Sequence, residues 1–262
     1  MIKIMDSNIN HNIANKDNVV LISYAAGNST YLINQEVLNL SARYFGIKTL
    51  LKYAPKDIDK KFYHENDHIL KQQRGAGYWL WKPYLILETM KQSKEGDIII
   101  YIDGDCLIIN DISYLISLTE QHNRLLFENS HINKPYVKRD SYILMNSDNE
   151  QTHNSKQLEA SYVFLKNNPE NREFVAKWLR YSQDERILTD IPSSLGEEFP
   201  EFIDHRHEQA ILTLLASKYN DQKILSFEDR QKYITNLCLK STFKSLVTCF
   251  IVYFNNFLHR FY

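Results

Sequence analysis

Two carboxylates one residue apart, Asp103 and Asp105, follow the most hydrophobic strand-like run of the chain, Ile98-Ile99-Ile100-Tyr101-Ile102. Open α/β sheets place their ligands at the carboxyl ends of strands, and Gly104 between the pair permits close backbone approach. Hard carboxylate oxygens there suit Mn²⁺ or Mg²⁺, and such a cation can neutralise the charge on a departing diphosphate. The plain alternative is a strand-end turn with two solvated Asp side chains. A second Asp-x-Asp, Asp57-Ile58-Asp59, lies between Pro55-Lys56 and Lys60-Lys61 with no strand feeding it. That copy reads as a solvated loop and serves as an internal control.

A second group of candidates lies upstream. Arg74-Gly75-Ala76-Gly77-Tyr78-Trp79-Leu80-Trp81-Lys82-Pro83-Tyr84 holds two of the seven glycines and two of the three tryptophans. A glycine-flexed loop leading into a helix could turn Arg74, Lys82 and backbone N–H groups toward a diphosphate while the aromatics close over it. Core packing for Trp79 and Trp81, with both cations on the surface, is the competing reading. The glycine spacing and the Lys-Ser/Thr pair of a Walker loop are absent.

The elements that must position these residues follow from periodicity. Val19 to Tyr24 predicts a buried strand, ending on Ser23 and Tyr24 before the loop Ala25-Ala26-Gly27-Asn28-Ser29, a usual opening for a nucleotide-binding α/β domain. Thr30 to Tyr44 predicts a helix and Ile47 to Tyr53 a strand, which sets a βαβ rhythm. Tyr78 to Met90 predicts a helix with Pro83 in its first turn, and the strand into Asp103 follows. Further helices are expected near Ile112 to His122, Glu170 to Tyr181 and Glu208 to Tyr219, with strands near Leu125 to Glu128 and Ala160 to Lys166.

The 262 residues, 44% hydrophobic, suffice for one sizeable α/β core. With 31 basic against 32 acidic residues there is no electrostatic footprint for a nucleic-acid backbone, so no nucleic-acid partner is expected. Three cysteines without metal spacing indicate neither a disulfide framework nor a zinc site, and Met1 to Asn18 lacks the apolar run of a signal peptide. The expected compartment is the cytoplasm.

Taken together, the helix from Tyr78, the strand into Tyr101-Ile102-Asp103-Gly104-Asp105 and the later Glu208-Gln209-Ala210-Ile211-Leu212 resemble GT-A glycosyltransferases. The likeness is to bacterial capsule and lipopolysaccharide sugar transferases and, more distantly, to retaining glycosyltransferase family 8. That resemblance implies an α/β fold, a single Rossmann-like GT-A domain over residues 1–240 with a mixed, mostly parallel sheet flanked by helices. It implies Asp103 and Asp105 as ligands of Mn²⁺ (or Mg²⁺) that also meet the nucleotide sugar, and Glu208 and Gln209 beside the transferred sugar. Glu208 stands where the family has Asp, and Ala210 where it has a second Asp. The family's closing His-x-x-Gly-x-x-Lys-Pro-Trp is missing, which leaves His207 or His205 as candidate third ligand by imidazole chemistry. Nucleotide contacts fall on Ser23, Tyr24, Arg74, Lys82 and Asp103.

The implied reaction moves a hexosyl group from a UDP-sugar to a glycan or lipid-linked hydroxyl, with retention of configuration. Inversion would instead require a base, for which Glu159 or Glu208 could serve. A non-catalytic sugar-nucleotide-binding module and a metal-dependent nucleotidyltransferase or pyrophosphatase stand as alternatives. Residues 241–262 are expected to form an amphipathic helix, with Phe243, Leu246, Val247, Phe250, Ile251 and Phe254 at helical spacing. Its apolar face would lie on a membrane surface, on the core or against a second subunit.

Overall fold

The computed structural model describes residues 16–237. The amphipathic segment 241–262, and with it the choice between membrane, core and second subunit, therefore lies outside the described residues. The chain opens with β1 (Val19–Tyr24), α1 (Ser29–Tyr44) and β2 (Thr49–Tyr53), the parallel βαβ unit expected from the pattern. Short helical turns fill residues 55–78 before α2 (Trp81–Gln92). Then come β3 (Ile98–Ile102), β4 (Cys106–Ile108), α3 (Ser113–His122) and β5 (Arg124–Ile132). After two short helices follow β6 (Lys156–Leu158), β7 (Tyr162–Lys166), α4 (Pro169–Ser182), α5 (His207–Ala216), β8 (Lys223–Leu225) and β9 (Ile234–Asn236).

Seven strands form one sheet in the order β2-β1-β3-β7-β5-β6, with β8 beside β5. β1, β2 and β3 are mutually parallel, and β7 runs against both β3 and β5. Since β8 is parallel to β5 and β6 antiparallel to it, β7 and β6 alone oppose the common direction. The α/β class and the mixed, mostly parallel sheet are thus as expected.

Strand alternation sorts the core into two layers. Val20, Ile22, Tyr24, Ile99, Tyr101 and Val163 point to one face, where α2, α4 and α5 cover them. Val19, Leu21, Ile98, Ile100, Ile102 and Phe164 point to the other, under α1 and α3. β3 is buried over its whole length, because it lies inside the sheet with helices on both faces. Among the described residues no helix is long and apolar enough to cross a membrane.

Candidate active site at the end of the central strand

β3 ends inside the sheet, and its next residues carry the two carboxylates into a cleft of about 520 Å³. Asp103, Gly104 and Asp105 form one wall, Tyr24 to Gly27 another, and Gly75, Ala76, Trp79 and Trp81 a third. The Asp103 N–H donates to the Ser161 carbonyl at 3.0 Å, so the strand end is held by backbone. A Cβ on Gly104 would lie 3.0 Å from the Tyr24 carbonyl oxygen, which is why the residue between the carboxylates is glycine. The control pair differs in every respect. Asp57 accepts from the Ala54 N–H, and Asp59 caps the short helix Lys60–Glu65 through the N–H groups of Lys61 and Phe62.

Asp103 and Tyr101 share a sheet face, and the Tyr101 hydroxyl donates to Asp103 Oδ1. Lys82, on the covering helix α2, places Nζ 3.3 Å from the same oxygen and 2.7 Å from Glu208 Oε1 on α5. These three elements therefore converge on one buried cation. Burial raises the Glu208 carboxyl to about 7 despite the lysine. Burial also lifts Asp105, with the negative charge of Asp103 adding to the shift. Two carboxylates that repel each other at a cleft wall are what a divalent cation would relieve. Hard carboxylate oxygens are the donors that Mn²⁺ or Mg²⁺ takes, so the chemistry of Asp103 and Asp105 would fit the implied metal.

Other expected site residues lie elsewhere. Ser23 faces the opposite side of the sheet from Tyr24, fully buried, and accepts from Asn39 Nδ2 of α1 at 3.1 Å. It supports α1 and does not meet the cleft. Arg74 turns away from the cleft and binds Asp190 at 2.9 Å and Asp204 at 2.7 Å. Lys82 is 2% exposed and is occupied by carboxylates, so it positions Asp103 in place of contacting a diphosphate. Glu208 lies behind it, at 4% exposure, with its carbonyl accepting from Trp178 Nε1. Gln209 Nε2 donates to Gln157 Oε1 at 2.8 Å, away from the cleft lining.

The third-ligand assignment to His207 or His205 is also corrected. Among the described residues no group of three His, Cys, Asp or Glu side chains is placed to hold a metal. His207 gives Nδ1 to the Leu188 carbonyl and stacks on Trp79 at 5.4 Å, and His205 binds the Ile187 carbonyl and the Lys138 N–H. Both rings are buried and held neutral by desolvation.

The helix expected from Tyr78 begins only at Trp81, because residues 75–79 wind the other way. Gly75, Ala76, Gly77, Tyr78 and Trp79 have φ of 57°, 51°, 98°, 52° and 59°, one turn of left-handed helix. Trp81 is stacked on Tyr24 at 3.8 Å and donates Nε1 to the Gly75 carbonyl, so the two tryptophans both pack and line the cleft. Sequence reasoning missed Tyr101 as the partner of Asp103, although the spacing of two along a strand carried that signal. It also missed Tyr31 and Gln73 on the cleft wall, for which no local pattern exists.

No protein-family model and no curated protein matches the chain. Its fold is similar to that of a glycosyltransferase involved in glycosylation of the major capsid of PBCV-1, at 8% identity and TM-score 0.47, over 89% of this chain and 98% of that one. It is similar also to mouse xyloside xylosyltransferase 1, at 12% identity and TM-score 0.47, over 79% and 84% of the two chains. The galactosyltransferase LgtC, solved with donor and acceptor sugar analogues, aligns at 11% identity and TM-score 0.41 over 78% and 72%. Each is a distant likeness of fold.

Proposed function

We propose that this chain is a metal-dependent GT-A glycosyltransferase that moves a hexosyl group from a UDP-sugar to a hydroxyl of a glycan or lipid-linked acceptor. The observation that carries this reading is the pair Asp103 and Asp105 on the wall of a nucleotide-sized cleft, at the carboxyl end of a central strand. The fit of Mn²⁺ or Mg²⁺ to that pair supports it, and the bound metal would supply charge neutralisation at the diphosphate. Tyr24, stacked on Trp81, forms an aromatic floor for the nucleotide. Lys82, Tyr101 and Glu208 hold Asp103 in place from below.

Retention is favoured by what the cleft lacks among its described lining residues: its carboxylates are Asp103 and Asp105 alone. Glu208 is bound to Lys82, and Glu159 to Arg230 at 3.1 Å, so neither is free as a base beside an acceptor. In the proposed step the bond from the anomeric carbon to the diphosphate oxygen breaks and the acceptor oxygen bonds to that carbon on the same face. The hydroxyl proton passes to the departing phosphate. The cytoplasm as compartment, and membrane or subunit contact through residues 243–262, belong to this proposal.

Calorimetric screening of nucleotide sugars with and without Mn²⁺ tests it. The expected result is one UDP-sugar bound about tenfold or more tightly with the metal, followed by transfer that releases UDP and gives the retained anomer by NMR. Metal-independent binding, or release of sugar phosphate in place of nucleoside diphosphate, would overturn the reading.

A further inference from the structure

The cleft wall that carries Gln73, Gly75, Ala76 and Trp79 is left-handed backbone from Gly75 to Trp79, although Ala76, Tyr78 and Trp79 bear side chains that disfavour it. Such backbone persists where surrounding contacts over-determine it. The turn has little slack of its own, since a Cβ on Gly75 would fall 2.4 Å from the Trp79 ring. Residues 190–207 brace it from the side away from the cleft. The Trp79 and Tyr78 rings lie 5.4 Å and 5.0 Å from the ring of His207, which is itself held by the Leu188 carbonyl. The Tyr78 hydroxyl donates to Asp190 Oδ2 at 3.0 Å. Arg74, at the foot of the turn, spans two carboxylates: Nη1 donates to Asp190 Oδ2 at 2.9 Å and Nη2 to Asp204 Oδ2 at 2.7 Å. Its neighbours Gln73 and Gly75 line the cleft, whereas Arg74 does not.

We infer that Arg74 is a positioning residue for the nucleotide, holding the left-handed wall of the cleft against Asp190 and Asp204 without touching the ligand itself. The inference rests on the glycosyl-transfer reading of the cleft and adds to it a residue that shapes the donor site from behind. The side chains of Arg74, Asp190 and Asp204 are 39%, 38% and 34% exposed, so a single ion pair among them would contribute little to global stability. Their effect is local. A planar guanidinium that meets one carboxylate with each Nη fixes the direction of its own backbone, which a single ammonium cannot do. With that fork removed, the start of the turn is free to relax toward right-handed backbone, and Ala76 and Trp79 leave the wall. Asp190, Asp204 and the Tyr78 hydroxyl thereby act on the nucleotide through Arg74 and the turn.

Two measurements on the full chain test this, with circular dichroism to check that each variant stays folded. The first is acrylamide quenching of tryptophan fluorescence without ligand. Of the three tryptophans, Trp178 is fully buried and Trp81 is 5% exposed, so quenching reports chiefly on Trp79. Quenching is expected to rise in Arg74→Met and to rise less in Arg74→Lys, which keeps the charge and loses the fork. The second is calorimetric titration of UDP with Mn²⁺. Arg74→Met is expected to bind about tenfold more weakly than the parent, with Arg74→Lys between the two. Gly96→Ala, a destabilising change remote from the cleft, should stay within about twofold of the parent. Parent-like quenching in Arg74→Met would overturn the brace. Parent-like UDP affinity in Arg74→Met, or an equal loss in Gly96→Ala, would overturn the positioning role. Failure of UDP with Mn²⁺ to bind the parent would count against glycosyl transfer and leave the quenching to decide whether Arg74 holds the wall.

Discussion

Lys82 Nζ lies 2.7 Å from Glu208 Oε1, joining α2 to α5 beneath the strand end that carries Asp103. Both side chains are almost wholly buried; Lys82 is the cation that faces Glu208, and Lys82 is itself shared with Asp103. Lys82→Met would strand Glu208 beside Asp103 with no cation. Loss of one partner of a buried pair costs about 3–5 kcal/mol, and replacement of both by apolar groups is often nearly neutral. Urea denaturation should therefore show a large loss for Lys82→Met and substantial recovery for Lys82→Met/Glu208→Leu. Equal losses in the two proteins would refute the coupling.

Glu208 also gives stability a pH dependence. Its carboxyl is raised from 4.5 to about 7, so between those values the folded state holds a proton that the unfolded state has released. The corresponding stability is complete below the unfolded value and is lost as pH rises through about 7. In metal-free buffer, Glu208→Gln should remove a decline on the order of a few kcal/mol between pH 5 and pH 8. Identical pH profiles for variant and parent would show that the carboxyl titrates normally.

Asp103→Asn and Asp105→Asn each remove one charge from the cleft wall without altering side-chain volume. Each is expected to weaken Mn²⁺-dependent UDP binding by about tenfold or more in calorimetry. The control Asp57→Asn/Asp59→Asn should bind as the parent does. Asn caps helices about as well as Asp, so its stability should stay within about 0.5 kcal/mol.

The left-handed turn stores strain that glycine substitutions can read. Ala76 pays the penalty of the left-handed region, so Ala76→Gly should stabilise the protein by about 1 kcal/mol. Gly77→Ala should destabilise by about 1–3 kcal/mol, since its Cβ would fall 2.7 Å from Leu70 Cα at a φ of +98°. Gly96→Ala, at φ +91° with open space around it, should cost only the backbone term of about 1 kcal/mol. Thermal melts that ranked Gly96→Ala as the worse of the two would exclude the steric account.

Local sequence determined the strand into Asp103, the opening βαβ unit and the position of α4, because each has a strong apolar period that its neighbours do not contradict. The contrast between the two Asp-x-Asp copies was legible for the same reason, since one is fed by a buried strand and the other caps a short helix. Tertiary structure alone decided the rest. Whether Lys82 and Arg74 met a ligand or a carboxylate depended on partners 126 and 130 residues away in the chain, which no local pattern encodes. The late start of α2 was likewise hidden: Ala76, Tyr78 and Trp79 favour right-handed backbone by themselves. They are held left-handed by contacts such as Trp81 Nε1 to the Gly75 carbonyl and Trp79 on His207, which exist only once the chain has folded.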